Sequence, residues 1–451
     1  MRRVDELKGK SVLVLGLAKS GFAAAKILHE LGARILVNDN KAYNQNPEAK
    51  ALEQLGIEVV CGEHPLHLLD GMDLMVKNPG IPYGNILVQE ALSRQLPVWT
   101  EIELAYRLSE ADIVAVTGSN GKTTTTTLIK EMLENSGRTP LIAGNIGTVA
   151  SEVAKSATTN DIMVLELSSF QLMGTEAFKP NIAVWLNIFD AHLDYHGSRE
   201  EYIGAKAKIG AHLNESDALV YNADDEIVVA AASQLNGNKI PFSVKQKVKK
   251  GAYVEAGMIC FQEETIIDLS EVVLPGAHNV ENMLAAVAAA KLAGAKSEQI
   301  RLVLKGFKGV KHRLQFVRDW DGIQIYNDSK ATNILATKAA LSAFSKPIIL
   351  IAGGLDRGNE FDELSQSLTH VKVLVTYGET KEKLSNLAKK IGLKTIQAER
   401  VEDATKVALS ESQPGDVVLL SPACASWDQY KSFEERGEAF LTSVSEFLQI
   451  D

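Results

Sequence analysis

Cysteine is scarce in this chain: Cys61, Cys260 and Cys424 are the only three in 451 residues, and they are far apart. Such a set makes neither an even disulfide framework nor a metal-type pair, so a disulfide scaffold is excluded, a structural zinc is disfavoured and a reducing compartment fits. Long apolar runs are also missing, since none approaches the ~18 residues of a membrane span. The opening Met1-Arg2-Arg3-Val4-Asp5-Glu6 leads into further charge instead of a leader core. The expectation is a cytoplasmic protein without membrane insertion. Positive charge is in deficit, with 47 Lys and Arg against 57 Asp and Glu and a formal charge of -10. That balance disfavours a polyanion, so no nucleic-acid partner is expected, while local basic pockets for nucleotides stay open. Internal repeats, coiled-coil heptads and low-complexity stretches are lacking too.

What is present is an ordinary core-forming fraction, 45% hydrophobic, in a chain long enough for two or three domains of ~150 residues. The stretch that organises it is Ile113-Val114-Ala115-Val116-Thr117-Gly118-Ser119-Asn120-Gly121-Lys122-Thr123, followed by a helix-compatible run from Thr124 to Glu134. A strand, a glycine loop and a helix start in this order make a phosphate cradle. Gly118 and Gly121 let backbone N–H groups turn inward, Lys122 reaches the outer phosphates, and Thr123 offers a hydroxyl to Mg²⁺. Only two residues separate the glycines, where the common loop has four, and the plainer reading is a glycine turn capping a helix.

The first ~100 residues read as alternating strands and helices: Ser11 to Leu15, a turn at Gly16 to Gly21, a helix from Phe22 to Leu31, a strand from Arg34, then Asp39. This approaches a dinucleotide fingerprint, but Ala18 stands where the middle glycine would admit a pyrophosphate. A nicotinamide reading is weakened, and another nucleotide-like ligand or none stays open. A domain boundary falls between Pro97 and Ile102.

Polar chemistry is densest after the phosphate loop. Gly144-Asn145-Ile146-Gly147 follows one strand; Ile162 to Leu165 delivers Glu166; Ile182 to Leu186 delivers Asn187, Asp190, His192 and Asp194. Ligands of open parallel sheets collect outside the carboxyl ends of strands, which makes Glu166 and His192 candidates for holding a metal. A strand-end acid and a loop histidine without metal are the alternatives. Ser198 to Glu201 has capping-box spacing and opens a helix expected to run to about Leu213. On it Lys206 shares the apolar stripe of Tyr202, Ile209 and Leu213, so it is snorkelling, paired or chemically altered, whereas Lys208 points elsewhere. Asn279 and Asn282 fall one turn apart at the start of an alanine-rich helix. The remaining third carries Lys311-His312-Arg313, a strand ending in Asp328-Ser329-Lys330-Ala331-Thr332-Asn333, and strands at 348–351, 373–376 and 417–420. That alternation is a second Rossmann-like pattern.

These motifs together resemble the Mur ligase family of ATP-dependent amide-forming enzymes over nearly the whole chain. The carriers are Gly118 to Thr123, Gly144 to Gly147, LELSSFQL at 165–172, Asn187 to Asp194, Pro275 to Asn279, Lys311 to Arg313, NDSKATN at 327–333 and SPACASWDQYKSFEERG at 421–437. The short phosphate loop is usual in that family, and the last stretch is the sign of its D-glutamate-adding branch. The resemblance implies three α/β domains: 1–98, Rossmann-like and binding a UDP-linked substrate; 99–308, P-loop ATPase-like with a mostly parallel sheet; and 309–451, Rossmann-like and binding an amino acid.

It implies, residue by residue, UDP-N-acetylmuramoyl-L-alanine at Lys19, Ser20, Asp39, Asn40, Asn78 and Gly80, with Asn145 and His192 also facing it. ATP falls to Gly118, Ser119, Asn120, Gly121, Lys122, Thr123 and Thr124, with Asn279 and Asn282 bordering adenine and Arg313, Asp328 and Lys330 closing over it. Two Mg²⁺ ions are implied, one at Thr123 and Glu166, the other at His192 and a carbamylated Lys206. D-Glutamate would be read by Thr332, Arg357, Ser426 and Phe433. Lys122, Glu166, His192 and Lys206 would form the catalytic set of a monomer in peptidoglycan precursor synthesis and cell wall biogenesis. Rival readings make separate forecasts. A nucleotide-dependent switch would hydrolyse ATP or GTP regardless of D-glutamate, a dehydrogenase would bind nicotinamide, and a folylpolyglutamate synthetase would not need the first domain.

Overall fold

The computed structural model describes residues 4–189 and 193–449. Its strands form three sheets, all mostly parallel, and its chain divides into two compact units. The first unit comprises 1–270 and 280–303, and the second 271–279 and 304–451. Among the described residues no helix is long and apolar enough to cross a membrane.

The first sheet has five parallel strands in the order Glu58–Cys61, Arg34–Asp39, Ser11–Leu15, Leu74–Lys77, Val98–Trp99. Val12, Leu13, Val14 and Leu15 are all fully buried, the pattern of a central parallel strand covered on both faces. Order reverses on either side of this strand, so the crevice for a ligand opens at its C-terminal end, beside Gly16 to Ser20. The helix there, Lys19–Glu30, starts three residues earlier than the sequence pattern indicated, because the turn closes tightly on Ala18.

The second sheet has nine strands. Its centre is Asp112–Thr117, flanked by Asp161–Glu166 and Ile182–Trp185, with Thr139–Gly144, Ala218–Asn222 and Asn238–Ser243 beyond them in parallel. Ala252–Glu255, Met258–Phe261 and Glu264–Asp268 end it, the last two pairings antiparallel. The helix opened by Ser198 ends at Ala207, in a tight turn over Lys208–Gly210 instead of reaching Leu213, where Gly210 packs against the Leu235 side chain. The helix Glu226–Ser233, capped by the Asp225 carboxylate, occupies a stretch whose β-branched residues disguise it.

In the second unit six strands run Gln315–Trp320, Ile323–Asn327, Val417–Leu420, Ile348–Gly353, Val371–Tyr377, Lys394–Gln397, all parallel except the first pair. The edge strand Gln315–Trp320 is one the sequence pattern does not announce, being half-buried and carrying Arg318 and Asp319.

The joint between the first two sheets is built on two buried carboxylates of the helix Glu101–Leu108. Glu101 accepts from the N–H groups of Ala150 (3.1 Å) and Ser151 (3.3 Å), at the buried start of the helix Ala150–Ser156. Glu103 accepts from the N–H groups of Glu176, Ala177 and Phe178 and pairs with Arg107 at 2.7 Å. Each acid therefore satisfies backbone donors that burial would otherwise orphan.

Two outcomes are expected. Glu103→Ala leaves three N–H groups and Arg107 without their shared acceptor, and removing one member of a buried pair costs about 3–5 kcal/mol; urea denaturation of the variant should show a loss of at least about 2 kcal/mol. Glu101 gives a pH signature instead. Burial pushes its pKa up to about 7, above that of an unfolded glutamate, so between roughly pH 4.5 and 7 the folded chain binds more protons than the unfolded one. Its contribution to stability is fullest at acid pH and is lost as pH rises through about 7. The thermal midpoint of wild type should accordingly fall relative to that of Glu101→Gln between pH 5 and pH 8; a pH-independent difference would contradict the assignment.

Candidate active site

The phosphate loop lies between Asp112–Thr117 and the helix Lys122–Leu133. Gly121 caps that helix with φ +83°, and a Cβ there would collide with the Asn282 side-chain amide; Gly118 sits at φ +155° against the Leu186 side chain and the Asn187 backbone. Asn187 holds the loop from the neighbouring strand end. Its backbone carbonyl accepts from Ser119 N–H (3.0 Å), its side-chain oxygen from Asn120 N–H (2.9 Å), and its amide donates to the Asn120 carbonyl (3.3 Å). The Ser119 hydroxyl is paired with Tyr202 Oη at 2.8 Å. Thr123 and Thr124 are buried in the first helical turn, and the Thr125 hydroxyl approaches Asn282.

The two lysines of interest meet on this loop. Lys122 Nζ donates to the carbonyls of Gly118 (2.9 Å) and Ser119 (3.0 Å), and Lys206 Nζ donates to the same Gly118 carbonyl at 2.8 Å. Lys206 is buried, its ammonium 4.9 Å from the Tyr202 ring centroid. Burial first, and then the Lys122 charge, hold its pKa well below the usual lysine range, with Glu166 acting the other way. Lys206 thus neither snorkels nor has a carboxylate partner within ion-pair distance among the described residues. Lys208 does point elsewhere, but it is not an idle surface group: its Nζ donates to the carbonyls of Met173 (2.6 Å) and Thr175 (3.1 Å).

Glu166 ends its strand fully inside. Its Oε1 accepts from the Asn145 side-chain amide at 2.7 Å, whereas its buried Oε2 has no hydrogen-bond partner. A buried carboxylate oxygen without a donor is costly, and a hard cation is the group that suits it. The residues present therefore fit Mg²⁺ beside the phosphate loop. His192, the other expected ligand, lies outside the described residues, and among those described no cluster of three or more His, Cys, Asp and Glu is gathered as a metal cage.

In the first sheet's crevice, Asp39 Oδ2 accepts from Leu17 N–H (2.7 Å) and Oδ1 from Lys41 N–H (2.8 Å), so this acid shapes the glycine turn. The Asn78 amide donates to Ser20 Oγ (3.0 Å) and its oxygen accepts from Gly80 N–H (3.1 Å). Lys19, Asn40 and Gly80 are exposed around this edge. The expected acceptor residues of this domain are thus gathered at one place. Lys77, buried beneath them, was not singled out from the sequence; the signal is a lysine closing the apolar run Leu74-Met75-Val76.

The second unit assembles its own group. Asp328 is buried, accepting from Leu314 N–H (3.0 Å) and the Ser421 hydroxyl (2.9 Å), and burial pushes its pKa up to about 7. Lys330 Nζ lies 5.6 Å from the Phe433 ring centroid, and Thr332 follows it with its N–H on the Lys330 carbonyl. Arg357 is exposed and stacks over Trp427 at 4.9 Å, next to buried Ser426. Asn279 donates to the Pro275 carbonyl at 2.7 Å, and Arg313 is near enough to His278 and Asp328 to perturb both. The residue that ties the loops together is Arg436, wholly buried: it donates to Ser329 Oγ (3.0 Å), the Ser329 carbonyl (2.8 Å) and the Cys424 carbonyl (3.0 Å). Sequence reading did not assign it a role, since an arginine in the polar run Glu434-Glu435-Arg436 reads as solvent-facing.

Known proteins bear on these observations at three levels. The Mur ligase MurD-like N-terminal domain matches residues 10–100, the Mur ligase middle domain 116–290, and the Mur ligase glutamate ligase domain 312–424. The chain is 65% identical to the UDP-N-acetylmuramoylalanine--D-glutamate ligase of Shouchella clausii, with 100% of both chains covered. It is 56% identical to the protein of that name from Bacillus subtilis, covering 97% of this chain and 98% of the other. Among solved structures it is similar in fold to the UDP-N-acetylmuramate-alanine ligase MurC of Thermotoga maritima, with TM-score 0.59, 19% identity and 97% and 99% of the two chains covered. It is likewise similar to the MurF ligase of Thermotoga maritima in complex with ADP, with TM-score 0.57, 18% identity and coverage of 99% and 96%. With three family domains matched in order and curated relatives of this identity aligned end to end, the chain belongs to the Mur ligase family.

Proposed function

We propose that this protein is the ATP-dependent ligase that adds D-glutamate to UDP-N-acetylmuramoyl-L-alanine, acting as a cytoplasmic monomer in peptidoglycan precursor synthesis. The observation that carries the reading is the convergence of Lys122, Lys206 and a partnerless Glu166 oxygen on a phosphate loop, in a chain 65% identical to a relative named for that reaction. The domains are assigned to 1–98 for the UDP-linked acceptor, 99–308 for ATP and 309–451 for the amino acid.

The alanyl carboxylate of the acceptor attacks the γ-phosphorus of ATP, ADP leaves, and an acyl phosphate results. The amine of D-glutamate, having lost a proton, then attacks the acyl carbon and inorganic phosphate departs. The chief obstacle to the first step is repulsion between an anionic nucleophile and an anionic phosphate. Lys122, released from its loop carbonyls, is the cation placed to offset it. Bound Mg²⁺ would add charge neutralisation there, held by Thr123 and Glu166, and at a second position by His192 and modified Lys206. Gly118 to Thr124 supply N–H groups and a helix start to the phosphates, and Asn282, against Gly121, borders the nucleotide. Asn279, Arg313, Asp328 and Lys330 are assigned to ATP on the resemblance, as Thr332, Arg357, Ser426 and Phe433 are to D-glutamate. Lys19, Ser20, Asp39, Asn40, Asn78 and Gly80 serve the acceptor's nucleotide end, with Asn145 and His192 nearer its reacting end.

Lys206 is proposed to work as a carbamate. The neutral amine attacks CO₂, an N–C bond forms, and the nitrogen gives up a proton, leaving an anionic oxygen pair suited to Mg²⁺. Only the unprotonated amine reacts, and the burial and Lys122 charge that depress the Lys206 pKa favour that form.

Phosphate release is expected to require ATP, Mg²⁺, UDP-N-acetylmuramoyl-L-alanine and D-glutamate together, and to fall to background when L-glutamate, L-lysine or glycine replaces D-glutamate. Equal or faster turnover with L-lysine would overturn the assignment.

Lys206→Ala should be nearly inactive and partly restored by acetate or formate, which can occupy the vacated oxygen positions. Carbon-13 NMR with labelled bicarbonate should show a carbamate resonance in wild type that the variant lacks. A wild type without the resonance, alongside a fully active Lys206→Arg, would sink the carbamate.

A further inference from the structure

Lys77 is a lysine buried to 1% exposure at the end of a fully buried strand, and among the described residues no carboxylate pairs with it. Its Nζ donates to the Ile81 carbonyl at 2.8 Å, reaches the Asn78 carbonyl and Tyr195 Oη at 3.4 Å each, and lies 4.7 Å from the Tyr83 ring centroid. Tyr195, on the short helix Leu193–His196, directs its hydroxyl to the same Ile81 carbonyl (2.8 Å) and to that of Pro79 (3.0 Å). Its ring is fixed against Phe170 (4.3 Å between centroids) and His196 (5.2 Å). The loop 78–81 is therefore gripped from below by its own strand and from the side by the central domain. Its upper face carries the Asn78 amide, held to Ser20 Oγ.

Burying an ammonium without an acid is costly, and burial alone pulls the Lys77 pKa down to about 7. Stability does not explain the choice, since an apolar side chain of similar length would fill the same space without that cost. What the lysine supplies is direction: donors aimed at carbonyls of a Pro-Gly turn that no neighbouring strand pairs. We propose that Lys77 and Tyr195 are positioning residues for the UDP-linked acceptor, clamping the carbonyls of the Asn78–Ile81 loop so that Asn78, Gly80 and Ser20 present one fixed surface to its nucleotide end. The inference rests on the proposed function for that surface and adds two residues that do not themselves touch substrate.

The experiment compares wild type, Lys77→Met, Tyr195→Phe and the double variant in steady-state phosphate release, with thermal midpoints measured alongside. Leu52→Ala, a core truncation elsewhere in the first domain, serves as the control for nonspecific destabilisation. Lys77→Met is expected to keep or raise the thermal midpoint while the Michaelis constant for the acceptor rises about five- to tenfold, the scale of a lost hydrogen bond of this kind. The Michaelis constant for ATP and kcat should stay within about twofold. Tyr195→Phe should shift the acceptor constant in the same direction, and the double variant should fall short of the product of the two single effects, because both act on one loop. An acceptor constant unchanged in Tyr195→Phe and in any folded Lys77→Met would overturn the proposal, as would an equal rise in Leu52→Ala. If wild type itself releases no phosphate in response to the acceptor, the functional reading fails instead.

Discussion

Two ammonium groups share one carbonyl oxygen. Lys122 and Lys206 both donate to the Gly118 carbonyl, and the chemistry proposed for the chain depends on how that crowding is resolved. A carbonyl can accept from both, but two full charges at that spacing repel, and in a site screened from water the repulsion is strong. One lysine must yield. Lys206, buried against Tyr202, is the one whose pKa burial and the Lys122 charge hold well below the usual lysine range. The rest of the local architecture follows from this division. Asn187 braces the loop so that both donors find the same acceptor, and Asn145 occupies only one oxygen of Glu166, leaving the other without a hydrogen-bond partner.

The elements that read clearly from sequence are those in which pattern and burial agree. Val12 to Leu15, Ile113 to Val116 and Ile348 to Ile351 are unbroken apolar runs because their strands are covered on both faces. The phosphate loop was legible for the same reason, since glycines, lysine and threonine at those positions have few other uses. Illegible elements are those where local preference and tertiary setting disagree. Glu226–Ser233 is a helix although Ile227, Val228 and Val229 favour strands, and Gln315–Trp320 is a strand at a sheet edge where charged residues are tolerated.

At the sites the divide falls differently. Residues that would touch ligand are polar groups at strand ends, and topology alone sends them to one place. Residues that hold those groups in position are buried charges; an apolar run ending in Lys77 is a faint signal of one, and nothing in a one-dimensional pattern says that Arg436 is inside. Arg436 joins the Ser329 and Cys424 loops by three hydrogen bonds, a purpose visible only once the two strands preceding those loops are known to be neighbours. Glu101 and Glu103 follow the same logic, each an acid spent on the backbone of a distant segment.

The contact between Gly121 and Asn282 bears on how such a loop can change over generations. Gly121 occupies a left-handed conformation, and the space a methyl group would need is filled by the amide of a residue 161 positions downstream. A side chain at 121 meets two objections at once, the strain of a left-handed backbone and an overlap with the Asn282 amide, which would have to move aside. A glycine replaced first, or an asparagine trimmed first, passes through an intermediate with either a clash or a hole beside the nucleotide loop. Substitutions at the two positions are therefore expected to combine non-additively, since they share one small volume.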